Sequence, residues 1–81
     1  MDFGKLTSLE ELIEAIDMGL DIVFVLHDVW YNISTDETPF VAVCPDGDGV
    51  YYPDGTTLVT EHTIHGVPLR EQWQEMNIWA M

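Results

Sequence analysis

The chain has 81 residues, enough for one domain with a single core, and residues 1–81 are predicted to form one compact acidic domain. Its hydrophobic content of 47% excludes the disordered class of proteins, in spite of a net charge of -13. Fifteen carboxylates against two cationic side chains exclude direct binding to nucleic acid or to an anionic membrane, because both are bound through Lys and Arg.

Residues 8–18, SLEELIEAIDM, predict an amphipathic helix, because their apolar side chains recur at the i, i+3, i+4, i+7 spacing of one helix face. Thr7 or Ser8 can cap its start with Glu10 or Glu11 as the capping-box partner, and Gly19 can end it in the left-handed conformation. The opposite face of the helix carries carboxylates and no cation.

This acidic helix face needs an explanation, because like charges at i, i+4 cost about 0.2–0.5 kcal/mol per pair. The helix dipole offsets that cost in the first turn, at Glu10 and Glu11, but not at Glu14 and Asp17 near the other end. Asp21 lies just beyond them. Two explanations stay open, solubility and a cationic partner, although a net charge of about 2–8 usually suffices for the solubility of a small domain.

The middle of the chain predicts an antiparallel sheet of three or four strands. Residues 21–26 and 29–34 are β-branched and aromatic runs, so His27-Asp28 is predicted as a tight hairpin turn. Residues 40–44 form a third strand, and the turn PDGDG precedes a short run at 50–52. Trp30 and Trp73 are predicted in the core, while alternation sends Tyr31 and one of the two tyrosines at 51 and 52 outward.

Two short helices are predicted after the sheet, over one of its faces. Thr56 or Thr57 can cap the first, which runs to His62, and Pro68 suits the first turn of the second, which ends near Asn77. The apolar tail IWAM then either packs on the core or forms an interface. The predicted fold class is therefore α+β, with an N-terminal helix, a three- to four-stranded antiparallel sheet and two short C-terminal helices.

The side chains that carry metal or catalytic chemistry do not form a recognisable motif. Asp46 and Asp48 belong to a turn that lacks the remaining ligands of an EF-hand loop. His62 and His65 form one weak pair where a structural zinc site has two. Cys44 falls in an apolar strand, which favours a buried, inert thiol. The sequence thus predicts no catalytic residue, no metal, no cofactor and no enzyme activity.

Cysteine usage and the absence of a long apolar run predict a cytoplasmic protein. Cys44 is the one cysteine, so no internal disulfide can form. The first residues lack the features of a signal peptide, and the longest apolar run, residues 22–26, is far shorter than the roughly 20 residues of a membrane-spanning helix.

In size, single cysteine, acidity and α+β order, the chain resembles the small acidic anti-CRISPR and anti-restriction inhibitors of phages and mobile elements. Its C-terminal pattern LVTEHTIHGVPLREQWQEMNIW is also similar to small phage proteins of Gram-positive bacteria. Many such inhibitors are nucleic-acid mimics. The resemblance therefore implies a non-enzymatic inhibitor, in the host cytoplasm, that occupies a basic nucleic-acid-binding groove of a host defence protein, with a Cas nuclease as the most specific candidate.

The partner-binding residues predicted for this function are carboxylates of the helix and turns, with an outward tyrosine as anchor. They are Glu10, Glu14, Asp17, Asp21, Asp46 and Asp48, with Tyr31 or Tyr52. The alternative function is a structural or assembly module, such as a homodimer, that associates through apolar surface while its acidity serves solubility.

Overall fold

The computed structural model describes residues 4–81 and has an α+β fold. Its elements follow the chain as α1 (Leu9–Asp17), β1 (Ile22–Leu26), β2 (Val29–Thr35), β3 (Pro39–Val43), β4 (Val50–Tyr51), α2 (Gly55–Glu61), β5 (Thr63–Ile64), β6 (Val67–Pro68), α3 (Leu69–Gln72), a 3-10 helix (Trp73–Glu75) and β7 (Asn77–Ala80). Five strands form an antiparallel sheet in the order β4-β3-β2-β1-β7, and β5 and β6 form a small separate hairpin. No helix within residues 4–81 is long and apolar enough to cross a membrane.

The first helix begins and ends as its sequence predicts. The Ser8 hydroxyl accepts a hydrogen bond from the Glu11 backbone N–H at 3.0 Å, and Gly19 has a φ of 79° just beyond the helix. The Glu11 carboxylate reaches back to accept from the Thr7 backbone N–H at 2.7 Å. Local capping chemistry therefore accounts for Glu11.

The β1–β2 hairpin turns at His27 and Asp28, as predicted. Both residues have positive φ, 52° and 62°, as in the type I′ turn that matches the twist of a two-residue hairpin. This turn pairs Leu26 with Val29, and the same register places Tyr31 opposite Phe24.

That register shows that the predicted orientation of the aromatic residues of β2 was wrong. Tyr31 is 8% exposed and stacks on Phe24, with the ring centroids 5.2 Å apart, whereas Trp30 is 41% exposed on the other face. The buried face of β1 carries Ile22, Phe24 and Leu26, so their partners on β2 must also face inward. The turn itself was predicted correctly, so the error lay in which of the two alternating faces was assigned to the core.

The core lies between the helices and this one face of the sheet. Its fully buried large side chains are Leu12, Ile16, Ile22, Phe24, Leu26, Ile33, Val41, Leu58, Val59, Leu69 and Met76. Because Val41 faces inward, Phe40 and Cys44 belong to the opposite face, and the predicted core position of Cys44 was wrong: its side chain is half-buried.

The C-terminal third contains the two predicted helices and three strands that the sequence did not predict, β5 and β6 of the small hairpin and β7. Asp54, rather than Thr56 or Thr57, caps α2 by accepting from the Thr57 backbone N–H at 2.7 Å. The apolar tail forms β7, which pairs with β1 and extends the sheet from four strands to five. The outer side of β7 pairs in turn with Gly4, whose N–H and C=O both bond Ile78 at 2.8 Å.

Candidate protein-binding surfaces

Carboxylates cover the surface of the described chain with almost no compensating cations. Every Asp and Glu within residues 4–81 is exposed except Glu11, which is half-buried. Arg70 forms a 3.7 Å ion pair with its neighbour Glu71, both side chains being more than half exposed. Exposed ion pairs contribute little to stability. Lys5 contacts the backbone oxygen of Gln74 at 3.5 Å. Most of the acidic surface is therefore electrostatically uncompensated.

The six predicted carboxylates lie in three parts of the fold. Glu10 and Glu14 are exposed on α1, and no hydrogen bond or ion pair within residues 4–81 involves their carboxylates. Asp17 and Asp21 flank the turn between α1 and β1, and Asp46 and Asp48 lie in the loop between β3 and β4.

Asp17 and Asp21 have structural hydrogen bonds. The Asp17 Oδ1 accepts from the Gly55 backbone N–H, the first of α2, at 2.7 Å. The Ser34 hydroxyl donates to Asp21 Oδ1 between β2 and the start of β1. These two carboxylates, which local helix energetics did not explain, thus have partners far along the chain. The Glu14 carboxylate, unlike those of Asp17 and Asp21, has no hydrogen bond within residues 4–81 that explains its position.

The predicted tyrosine anchors lie elsewhere than expected. Tyr31 belongs to the core. Tyr52 is half-buried, with its hydroxyl 2.9 Å from His62 Nδ1, and its neighbour Tyr51 is the outward residue at 54% exposed. Burial, with the nearby Glu61 carboxylate, raises the pKa of Tyr52, and burial lowers the pKa of His62.

The sheet face that points away from the helices is the largest feature that sequence reasoning missed. This face, called the open face below, carries Val23, Val25, Trp30, Phe40, Tyr51 and Trp79. The Trp30 and Trp79 rings meet edge to face at 5.8 Å, and the Phe40 and Tyr51 rings lie 5.0 Å apart. The alternation of β2 and β3 contained this signal, but the sequence did not show which of the two faces packs against the helices.

The strand positions of the open face carry no Asp, Glu, Lys, Arg or His. Besides its apolar residues, the register places Asn32, Ser34, Ala42, Asn77 and Ala80 there. Every Asp and Glu of residues 4–81 thus lies on a helix or in a connection between elements. Depletion of charge with aromatic enrichment is the pattern of an interface core.

The histidines of residues 4–81 make separate contacts, and a small cavity lies near one of them. His27 stacks on His65 at 4.3 Å and contacts Gln72, while His62 pairs with Tyr52, so the weak zinc pair is split. The described residues contain no group of three or more His, Cys, Asp or Glu that could hold a metal. A cavity of about 80 Å³, lined in part by Asp48 and His62, is far below the roughly 300–1,000 Å³ of ligand pockets.

Comparison with known proteins gives no relative from which a function can be transferred. The chain matches no protein-family model, and neither the curated proteins nor the solved structures gave a match.

Proposed function

We propose that this chain is a non-enzymatic binding protein whose acidic surface occupies a basic, nucleic-acid-binding groove of another protein. The observation that carries the proposal is the near-complete exposure of the carboxylates of residues 4–81, beside a single exposed ion pair in that range. A surface of one sign steers oppositely charged partners and sets the orientation in which they meet. Grooves that bind DNA or RNA are cationic, so they are the natural complement.

The kind of partner follows from the resemblance to phage-encoded inhibitors. Under this proposal the protein competes with DNA or guide RNA for a defence nuclease, and a Cas nuclease is the first target to test. Glu10 and Glu14 are the best candidates for direct contact. They are exposed on one side of α1, and their carboxylates have no hydrogen-bond partner among the described residues.

A charge-reversal pair tests this proposal. The full chain is immobilised, bacterial lysate is applied at low salt, and retained proteins are eluted with about 1 M NaCl, where the Debye length is about 3 Å. Retained proteins are then tested for competition with DNA. We expect Glu10→Lys with Glu14→Lys to lose the competing partner, and Glu10→Asp with Glu14→Asp, which keeps the charge, to retain it. A competing partner that is retained equally at low and high NaCl, and equally by the unmodified chain and the Lys variant, would contradict the proposal.

A second function, an assembly module that associates through apolar surface, is favoured by the C-terminal strand. Trp79 and Met81 are 41% and 46% exposed in the tail that forms β7. If the protein is an assembly module, its acidic surface serves to keep it soluble. Light scattering of the full chain and of a Trp79→Ala variant distinguishes the two, because an assembly module must be oligomeric and the variant must lose that oligomer.

A further inference from the structure

The open face has the composition of a binding surface but only part of the area that a stable complex needs. The 23 residues of its five strands, at about 3.3 Å per residue and about 4.8 Å between strands, give a face of roughly 360 Å². Apolar patches of this size on a monomer are often functional. A standard interface buries about 800 Å² on each partner, so contacts beyond the face must supply the rest.

Exposed carboxylates lie in the connections at the ends of the strands of the open face. They are Asp21 before β1, Asp28 in the first turn, Asp36 and Glu37 in the second, and Asp46 in the third. Asp48, also in the third connection, instead lines the cavity beside Tyr31 and His62 on the helical side. All are exposed, and the Ser34 hydroxyl bond holds Asp21 beside the face. The surface thus has an uncharged aromatic centre and an acidic rim.

This charge distribution decides between three possible occupants of the open face: single-stranded nucleic acid, a second copy of the chain, and a segment of another protein. Single-stranded nucleic acid stacks on aromatic sheet faces, but only where cationic side chains hold its phosphates, and here the rim would repel them. A second copy placed face to face would bring two acidic rims together. A protein segment with an apolar centre and flanking Lys or Arg satisfies both parts of the surface.

The positions of the Trp30–Trp79 and Phe40–Tyr51 pairs define how far apart the apolar side chains of that segment must be. Trp30, beside Trp79, is the second residue of β2, and Phe40, beside Tyr51, lies on β3 opposite Ser34, four residues further along β2. Four residues of a strand span about 13 Å and neighbouring strands lie about 4.8 Å apart, so Trp30 and Phe40 are about 14 Å apart. Two apolar side chains at i and i+4 of an extended segment, about 13 Å apart, can reach both residues.

We infer that the open face is the docking site for an extended protein segment that carries two apolar side chains at i and i+4, flanked by Lys or Arg. The inference rests on the proposed function, because it names the surface and the local chemistry by which a basic partner is recognised. The aromatic centre supplies anchors, and the rim supplies orientation and salt dependence.

Three synthetic peptides test the inference on the isotope-labelled full chain by NMR titration. KKLTVTLKK has the proposed pattern, KKSTSTSKK keeps its charge without the apolar side chains, and EELTVTLEE keeps the apolar side chains with the opposite charge. We expect KKLTVTLKK to perturb the amides of β2, β3, β4 and β7 and to bind at least tenfold more tightly than either control. Its affinity falls as NaCl is added.

Paired variants locate the contact. We expect Trp30→Thr with Tyr51→Thr to weaken KKLTVTLKK at least tenfold and to leave KKSTSTSKK unchanged. Met18→Ser is the matched control, because Met18 is 71% exposed at the end of α1 on the helical side, and it leaves both affinities unchanged. Circular dichroism checks that each variant is folded. If the double variant does not fold, the amides that KKLTVTLKK perturbs in the unmodified chain show whether the peptide binds the open face.

Three results would overturn the inference. In the first, both basic peptides bind equally and perturb α1 and α2, which leaves the proposed function standing. In the second, neither basic peptide binds, and the charge-reversal experiment then decides the proposed function by itself. In the third, sedimentation equilibrium shows a dimer of the unmodified chain that Trp30→Thr with Tyr51→Thr converts to monomer, which assigns the open face to a second copy.

Discussion

His62 is the residue at which burial changes the chemistry of a side chain most clearly. It follows α2 half-buried, with Nδ1 2.9 Å from the Tyr52 hydroxyl. Burial lowers the pKa of His62 below its ordinary 6.5, because a charged imidazolium would lose hydration there. The imidazole is therefore neutral at pH 7 and joins a neutral hydrogen bond.

Replacing His62 should remove one pH-dependent contribution to stability. The unfolded chain takes up a proton below pH 6.5 more readily than the folded chain. The stability that His62 contributes is thus present above the unfolded pKa and is lost as pH falls through the folded pKa. We expect the free energy of unfolding of the unmodified chain to exceed that of His62→Asn by less at pH 5 than at pH 7.5, as measured by urea denaturation.

Tyr52→Phe is the control for this effect. It removes the hydrogen bond, which lowers stability by about 1 kcal/mol, but leaves His62 buried, so the pH dependence should persist. A stability difference between the unmodified chain and His62→Asn that stays constant over this pH range would contradict the assignment to burial.

At the scale of elements, the contact between α1 and α2 gives the acidic helix face a structural role. A Cβ atom on Gly55 would lie 2.9 Å from the Ile13 backbone oxygen and 2.9 Å from Asp17 Oδ1, so the two helices meet where only glycine fits. At that point the Asp17 carboxylate accepts the first backbone N–H of α2. Asp17 therefore joins two helices that are 38 residues apart in the sequence.

Alanine substitutions should separate the two carboxylates at the end of α1. Asp17→Ala leaves the Gly55 N–H without this acceptor, and we expect a loss of about 1 kcal/mol in the free energy of unfolding. Glu14→Ala, its neighbour one turn earlier, should stay within about 0.5 kcal/mol of the unmodified chain, as exposed substitutions do. Equal effects of the two substitutions in chemical denaturation would contradict this role of Asp17.

At the scale of the whole molecule, charge repulsion opposes folding. The net charge of -13 is held within extents of 31 × 28 × 24 Å. At 10 mM salt the Debye length is about 30 Å, so each carboxylate repels nearly every other across the fold. At 1 M salt it is about 3 Å, and this repulsion largely disappears.

Salt should therefore stabilise the folded chain. If screening recovers about 1 kcal/mol, the Tm rises by about 4–8 °C between low and high NaCl. Choline chloride should act equally well, because the effect is not specific to sodium, and Glu10→Lys with Glu14→Lys should show a smaller rise. A Tm that is constant or falls with salt, measured by circular dichroism, would contradict the prediction.

The sequence by itself determined the features that depend on neighbouring residues. The α+β class, α1 with its Ser8 cap and Gly19 end, and the turn at His27 and Asp28 follow from helical spacing, capping chemistry and β-branched runs. Each of these signals acts within a few residues, so one sequence is enough to show it. The acidity, from which the proposed function starts, is likewise a property of composition.

Only the tertiary structure decided which side chains share a surface. Packing of one sheet face against the helices placed Tyr31 in the core and Trp30 on the open face, and pairing with β1 made the tail a fifth strand. The partner of Asp17 lies on another helix. Local patterns cannot specify these outcomes, because the buried face of a sheet and its long-range contacts are chosen by the fit of the whole core.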